Sequence, residues 1–414
     1  MAKNLSTFFN ALLLAQKKLA IELYFVGGCV RDALLGELSD DFDLVTSGEL
    51  DQLRALMTGW DFECSLFGTL STTLEGKQID LATFRKESYN DESGLPQVFP
   101  GTIEDDILRR DFTVNTGYVK LSEDSIANFI GETGHLTKAH KPLEIAFSHP
   151  KFEEDVQKRQ LRILHKDSFK EDATRMLRAV KYTTVKGFFM EAETQRALEQ
   201  AVKERIIDRC SKVRVREILL NLASANQGEL MIEKCIRWKL LPYLQASDDG
   251  IALSSLGFEG LSVRLKDHYP ETFAKVKKGL LTLLYAYRGQ LDFFDGAERS
   301  VQKLARQCEK IKMLKMDEPK PLYDQLVKAE PETVIFAMIL GVLNEARYAY
   351  YKTHLEGIRL DLSGDDLKDM GFKEGPMIGD ALKRLLDTEV EHGENYSKEK
   401  EIEWIESVYD EYGH

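Results

Sequence analysis

The 414-residue chain holds no apolar run approaching the roughly 20 residues that a bilayer-spanning helix needs. Its five cysteines, Cys29, Cys64, Cys210, Cys235 and Cys308, are scattered, odd in number and never in C-x-x-C spacing. Neither a disulfide framework nor a zinc site is indicated. G-x-G-x-x-G is absent, so no dinucleotide fingerprint is present. No Ser-His or Cys-His arrangement for covalent catalysis is apparent, and there is no tandem repeat or low-complexity tract. The opening "MAKNLSTFFNALLLAQKKLA" is too short and too interrupted in its apolar core for a signal peptide and reads as an amphipathic first helix. These absences lead to the expectation of a soluble, cytoplasmic protein.

Net charge is −13, which argues against indiscriminate nucleic-acid binding while leaving room for a local basic stripe. "KERIIDRCSKVRVRE", residues 203–217, carries six basic residues against three acidic. Taken alone, that stretch reads as a solvated helix face.

The length predicts two to four domains. In the first third, "LYFVGG", "DFDLVT", "TLSTTLEG", "QIDLATF" and "DFTVNTGYV" read as strands, with "GCVRDALLG" and "SGELDQLRALMTG" as helices between them. After Gln160 apolar residues recur at helical spacing, predicting a long all-α region.

The chemistry concentrates in "YFVGGCVRDALLGELSDDFDLV", residues 24–45. Alternate side chains of a strand share a face, which puts Asp41 and Asp43 roughly 7 Å apart on one side. An exposed turn would explain clustered aspartates, and so would a cation between them. Mg²⁺ takes oxygen ligands and leaves positions for phosphates, and Asp80 in "GKQIDLATFR" offers a third carboxylate on a neighbouring strand. Asp40 reads as a turn residue. Gly27 and Gly28 fall between strand and helix, where bare backbone N–H groups can cradle phosphate, with Arg31 one turn on.

Together with "DLATFRKE", "DDILRRDFTVNT" and "EDATRMLRAVKY", this stretch resembles the bacterial class II tRNA nucleotidyltransferases. These are the CCA-adding enzymes and their poly(A) polymerase relatives, of the polymerase-β-like superfamily. The resemblance implies an α+β protein: a small mixed-sheet nucleotidyltransferase head (1–157) and an elongated all-α neck (158–225), body (226–297) and tRNA-binding tail (298–414). It also implies two Mg²⁺ ions on Asp41 and Asp43, with Asp80 as the third catalytic carboxylate. Gly27, Gly28 and Arg31 would contact nucleotide, Arg109 and Arg110 would clamp the triphosphate, and Asp111 and Asn115 would surround the ribose. Asp172 and Arg175, three apart on a helix and continued by Arg178 and Lys181, would act as a protein template for the bases of CTP and ATP. Glu171 would brace Arg175, and Lys181 stands where family members often have Arg. Lys212, Arg214 and Arg216 are candidates for RNA backbone contacts, as are Gly375 and Gly379 in a helix–turn–helix over residues 362–386. A C-cap followed by Pro376 at a helix start accounts for those glycines equally well.

The implied reaction joins an RNA 3′-hydroxyl to the α-phosphate of CTP or ATP at the tRNA acceptor arm, with no membrane and no obligate protein partner. No His-Asp dipeptide marks an appended phosphohydrolase site. Two departures bear on the product. Residues 121–157 lack the D-P-x-G-G-like hinge of the family, with Asn128 or His149 as candidates for its Asp. "ESYNDESGLPQVFPG", residues 87–101, has acids but no basic residue and resembles lineages that divide CC and A addition between two proteins. CC-only or A-only addition is therefore an alternative to full CCA synthesis. Poly(A) polymerase is another, although the chain ends in the acidic "EIEWIESVYDEYGH". A non-catalytic RNA-binding relative is the alternative of a different class.

Overall fold

A computed structural model describes residues 3–65, 68–89, 96–130, 142–241, 299–311, 318–339 and 342–408, with a few isolated positions between 266 and 297. Most of the expected body (226–297), the centre of the 87–101 stretch and residues 131–141 of the expected hinge lie outside the described residues. The chain divides into two units, one of Met1–Ile218 and Lys234–Tyr243, the other of Leu219–Glu233 and Leu244–His414.

The first unit holds the strands β1 (Leu23–Val26), β2 (Asp41–Thr46), β3 (Glu63–Cys64), β4 (Leu70–Leu74), β5 (Lys77–Thr83), β6 (Arg85–Tyr89), β7 (Pro96–Pro100) and β8 (Tyr118–Lys120). Six of them form one sheet in the order β3-β4-β5-β2-β1-β8, while β6 and β7 make a separate antiparallel pair. β2 pairs antiparallel with β1 and parallel with β5, and the parallel register aligns Asp41 with Gln78 and Asp43 with Asp80. Helix α1 (Leu5–Leu19) starts in a capping box in which Asn4 accepts from the Thr7 backbone. It covers one face of the sheet, where Phe9 packs on Phe25 and Phe42 at ring separations of 5.3 and 5.5 Å. The other face carries Tyr24, Val26, Val45 and Tyr118 as a second apolar cluster. Asp41 and Asp43 share that second face, because period-two alternation sends Phe42 and Leu44 to the α1 side.

Helices α2 (Gly28–Leu34) and α3 (Leu50–Leu56) follow β1 and β2 as expected. The β6–β7 pair leads into α4 (Ile103–Leu108). Then come α5 (Glu123–Ile130), α6 (Phe152–Gln157), α7 (Ser168–Glu171), α8 (Thr174–Thr184), α9 (Ala192–Lys203) and α10 (Lys212–Ser224).

Two expectations are corrected. "DFTVNTGYV" is not one strand: Thr113–Asn115 form a 3-10 turn and only Tyr118–Lys120 pair. Side chains take over there, since Thr113 donates to Asp155 at 2.6 Å and Thr116 to the Thr113 carbonyl at 2.6 Å. The region after Gln160 is also not purely helical, because β9 (Gln160–Leu161) pairs parallel with β10 (Phe189–Met190).

The described part of the second unit is helical. Its C-terminal helices, Gly364–Asp369, Pro376–His392 and Lys398–Val408, enclose Leu367, Phe372, Ile378, Leu385, Tyr396 and Ile405. Gly375 precedes Pro376 at the helix start, and Gly393 at φ 64° ends the helix in the left-handed conformation that glycine tolerates. Among the described residues no helix is long and apolar enough to cross a membrane.

Candidate active site

Strand alternation and the β2–β5 register bring three carboxylates to one patch of the first unit. Asp41 and Asp43 open into a cleft of about 670 Å³, while Asp80 lines a smaller adjoining cavity of about 280 Å³ that shares Asp43. Although Asp43 is exposed at the cleft, crowding of its carboxyl by the surrounding protein, with Asp80 and Asp41 close by, pushes it up to about 6 against the pull of Arg110. Asp80 accepts from Gln78 Nε2 at 3.1 Å, and Asp40 from Lys77 Nζ at 2.6 Å, so Asp40 serves the turn as expected. No group of three or more His, Cys, Asp or Glu among the described residues is placed to hold a metal ion. Two carboxylates facing open space are the donor set here. That fits Mg²⁺, which commonly binds one or two carboxylates and completes its shell with water and phosphate oxygens.

Gly27 lines the cleft beside Asp43. At φ 73° it is left-handed, and a Cβ there would lie 3.1 Å from Arg110 Nη1 and 3.5 Å from Asp43 Oδ2. The left-handed conformation favours glycine, and the nearness of Arg110 leaves a side chain little room. No side chain caps α2, so the backbone of Gly28 and its neighbours faces the cleft unclaimed by a cap.

Arg110 does not wave from the surface. Its Nε donates to Tyr118 Oη at 2.9 Å, its Nη2 to Asp106 Oδ2 at 2.9 Å and its Nη1 to the Asn115 carbonyl at 3.2 Å. Asp106 is fully buried and also receives Arg109 Nε at 2.9 Å and the Tyr118 hydroxyl. Despite burial, Arg110 and Arg109 hold its carboxyl down to about 2. Arg109 reaches further to Glu87 at 3.2 Å, which Arg85 also meets at 3.0 Å.

Arg31, Asp111 and Asn115 form one network. Arg31 Nη1 donates to Asn115 Oδ1 at 2.6 Å, and Asn115 Nδ2 donates to Asp111 Oδ1 at 2.8 Å and to Tyr182 Oη at 2.9 Å. Arg31 is buried and also bonds Asp32 at 2.8 Å.

The expected base-reading pair is rearranged. Asp172 lies before α8 rather than on it, with φ −132° and ψ 98°, because its carboxylate accepts from Thr174 N at 2.9 Å and Thr174 Oγ1 at 2.6 Å. Arg175 lines the cleft but is 1% exposed. Its Nη1 donates to Ser168 Oγ at 2.7 Å and its Nη2 to the Arg109 carbonyl at 2.8 Å, while Nε is buried without a hydrogen-bond partner among the described residues. Glu171 stands 3.6 Å from Arg175, in the bracing position. The cations on Asp172 are Arg178 at 3.1 Å and Arg214 at 3.3 Å, which with the Thr174 bonds hold its carboxyl below the usual range against burial. Arg178 also meets Asp111 at 3.2 Å, and Lys181 is exposed one turn further along α8.

The expected RNA-backbone residues are dispersed. Arg214 turns into the cleft, Arg216 is 4% exposed, and Lys212 is half-buried at the start of α10. Gly375 and Gly379 sit at the start of the helix Pro376–His392, the second of them inside it. His149 lies in another cavity, lined also by Arg162 and His165, and Asn128 is buried on α5. The buried carboxylate nearby is Asp155, which holds Thr113 and Arg162.

Asp106, Tyr118 and Tyr182 join the site without being expected from the sequence. Asp106 had a signal, standing three and four residues before Arg109 and Arg110. Tyr118 and Tyr182 had none, because their partners come together only in the folded chain.

The Poly A polymerase head domain family matches residues 23–140. The A-adding tRNA nucleotidyltransferase of Geobacter sulfurreducens is 26% identical over 432 residues, covering 93% of this chain and 45% of that protein. The CC-adding tRNA nucleotidyltransferase of Deinococcus radiodurans is 36% identical over 165 residues, covering 39% and 40%. The chain thus matches less than half the length of either relative. An apo structure of a CCA-adding enzyme superposes with a TM-score of 0.71 over 98% of this chain and 95% of that one, at 23% identity, a likeness of fold. Residues 23–140 thus match the poly A polymerase head domain family, and the chain is similar to tRNA nucleotidyltransferases that add A or CC.

Proposed function

We propose that the protein adds C, A or both to the 3′ end of tRNA without a nucleic-acid template, taking the nucleotides from CTP and ATP in the cytoplasm. The observation that carries this reading is the two-ended cleft. Carboxylates Asp41 and Asp43 face Arg110 and the bare Gly27–Gly28 backbone at one end, and Asp172 with Arg178 and Arg214 stands at the other. The first end suits a triphosphate and the second a base edge. An Arg fork binds phosphate well, and a carboxylate accepts from cytosine N4–H or adenine N6–H.

In this reading the RNA 3′-hydroxyl attacks the α-phosphorus, the α–β phosphoanhydride breaks and pyrophosphate leaves. Asp41 and Asp43 would hold Mg²⁺. Two ions bound there supply charge neutralisation for the attacking and leaving oxygens. Arg110, fixed by Asp106 and Tyr118, orients the phosphates, while Arg109 buttresses it through the same carboxylate. Asp80 tunes Asp43 from the adjoining strand. Residues 1–157 are then the catalytic head, 158–225 the neck, 226–297 the body and 298–414 the tail that meets the tRNA.

A second reading, addition of CC only or A only, is favoured by residues 87–101. Their described ends form the β6–β7 pair, and the stretch carries no Arg or Lys. The A-adding relative that matches 93% of the chain points the same way. Extension of one tRNA prepared with no terminal C, one C or both, given CTP, ATP or both, separates these readings. Addition of C, C and A is full CCA synthesis, and a stop at CC or addition of A to the CC end alone is the divided form. Long A tails indicate poly(A) synthesis. No extension leaves an RNA-binding relative and sinks the proposal.

A further inference from the structure

The ribose position in the cleft has an owner that the resemblance does not name. Asn115 is the residue expected to meet the sugar, yet its amide is already occupied. Both Nδ2 hydrogens go to protein, one to Asp111 Oδ1 at 2.8 Å and one to Tyr182 Oη at 2.9 Å, while Oδ1 accepts from Arg31 at 2.6 Å. An amide with both donors engaged has none to offer a ligand.

Tyr182 is different. Its ring is fixed by Phe112 and Phe188, both edge-on, at 5.7 and 6.3 Å, and by the Arg31 guanidinium 5.0 Å from its centroid. Its hydroxyl accepts from Asn115, which leaves the phenolic proton to give. Among the described residues that proton has no acceptor, and Tyr182 lines the cleft. Burial and the nearby Asp111 carboxylate raise its titration, so it remains a neutral donor near neutrality.

Its place in the cleft indicates what it would meet. Asn115 joins it to the phosphate end, since the Asn115 carbonyl receives Arg110 Nη1 at 3.2 Å. Asp111 joins the same network to the base end through Arg178 at 3.2 Å. Between phosphate and base a nucleotide has its sugar.

We propose that Tyr182 is a specificity-determining residue that reads the sugar, its O–H donating to the ribose 2′-oxygen of the incoming nucleotide, with Asn115 as the positioning residue that aims it. The assignment rests on the nucleotidyl-transfer reading above. A 2′-deoxynucleotide leaves the donor unpaired and loses that bond.

The test compares kcat/KM for the nucleotide that the wild-type protein adds with that for its 2′-deoxy counterpart, in wild type and Tyr182→Phe. The expected result is a wild-type preference for the ribonucleotide that falls about three- to tenfold in Tyr182→Phe, the loss of one neutral hydrogen bond. The deoxynucleotide rate should hardly change, whereas a merely structural role would depress both substrates together. An unchanged ratio in Tyr182→Phe overturns the proposal, and so does a wild-type ratio near one, which needs no variant. A wild-type protein that adds neither nucleotide sinks the nucleotidyl-transfer reading itself, an outcome distinct from a ratio of one.

Discussion

Asp43 of β2 stands directly across from Asp80 of β5, in a parallel pairing within the six-stranded sheet. Paired residues on neighbouring strands share a face, so two carboxylates lie side by side, Asp43 in the cleft and Asp80 in the adjoining cavity, with Asp41 two residues before Asp43. That arrangement costs stability unless a positive charge joins it, and Arg110 offsets only part of the cost. The Mg²⁺ proposed for Asp41 and Asp43 would supply that charge.

Asp43→Asn should therefore separate activity from stability. Nucleotide addition should fall about 100- to 1,000-fold or more, because one of the two carboxylates proposed to hold the charge-neutralising Mg²⁺ is lost. In chelator-treated protein the melting temperature should hold or rise at pH 7 to 8. The Asp43 carboxyl sits near 6 in the folded chain against an ordinary 3.8, so the native state favours its neutral form and loses stability as pH climbs between those values. A marked drop in melting temperature would contradict this.

Asp106 has the opposite character. It gathers Arg109, Arg110 and Tyr118 around one buried carboxylate. Asp106→Ala should cost about 3–5 kcal/mol in urea unfolding, since it leaves buried cations uncompensated. Any protein that folds should show a raised KM for nucleotide as Arg110 loses its aim.

Arg214→Ala tests the proposed base-reading end. The guanidinium holds Asp172 from α10, and without it the carboxylate keeps only Arg178 and Thr174. Discrimination against UTP should weaken about tenfold in single-nucleotide addition, the scale of one misplaced base contact. Equal loss with CTP and UTP would indicate a general structural defect instead.

Glu389 and Glu401 give the second unit a pH signature. Both are fully buried; Glu401 accepts from the Asp361 and Leu362 backbone at 2.8 and 2.6 Å, while Glu389 accepts from Tyr396 N at 3.3 Å and lies in hydrogen-bonding contact with Glu401. Burial, with Glu401 and Asp361 adjacent, pushes Glu389 up to about 7 against that bond. A raised acid pKa means that the native state holds the proton, so stability is full below 4.5 and declines as pH rises towards 7. Glu389→Gln should abolish that decline, measured as the difference in melting temperature between pH 5 and pH 8. Parallel curves for the two proteins would refute the assignment.

How much of the site is legible in the sequence depends on the range of the contacts. The alternation Asp41-Phe42-Asp43 is local, and period two alone is enough to place both carboxylates on one face. The Gly27–Gly28 turn and the start of α2 are readable for the same reason. Helical spacing puts Asp172 on a helix, but Thr174, two residues on, offers its carboxylate a competing backbone bond that holds it outside. The resemblance makes Arg175 a base contact, yet its partners Ser168 and Arg109 become visible only when α8 packs against α7 and the end of α4. The network of Arg31, Asn115 and Tyr182 spans residues 84 and 67 positions apart in the chain. No spacing rule reaches that far.

The most direct measurement is extension of a radiolabelled tRNA lacking its 3′-terminal CCA, with Mg²⁺ and each of the four nucleotides alone and together, for wild type and Asp43→Asn side by side. A second acceptor already ending in CC covers the A-adding form. The account predicts addition of C, A or both by the wild type, refusal of G and U, and loss of addition in Asp43→Asn. Unselective addition of all four nucleotides, or full activity in Asp43→Asn, would contradict it.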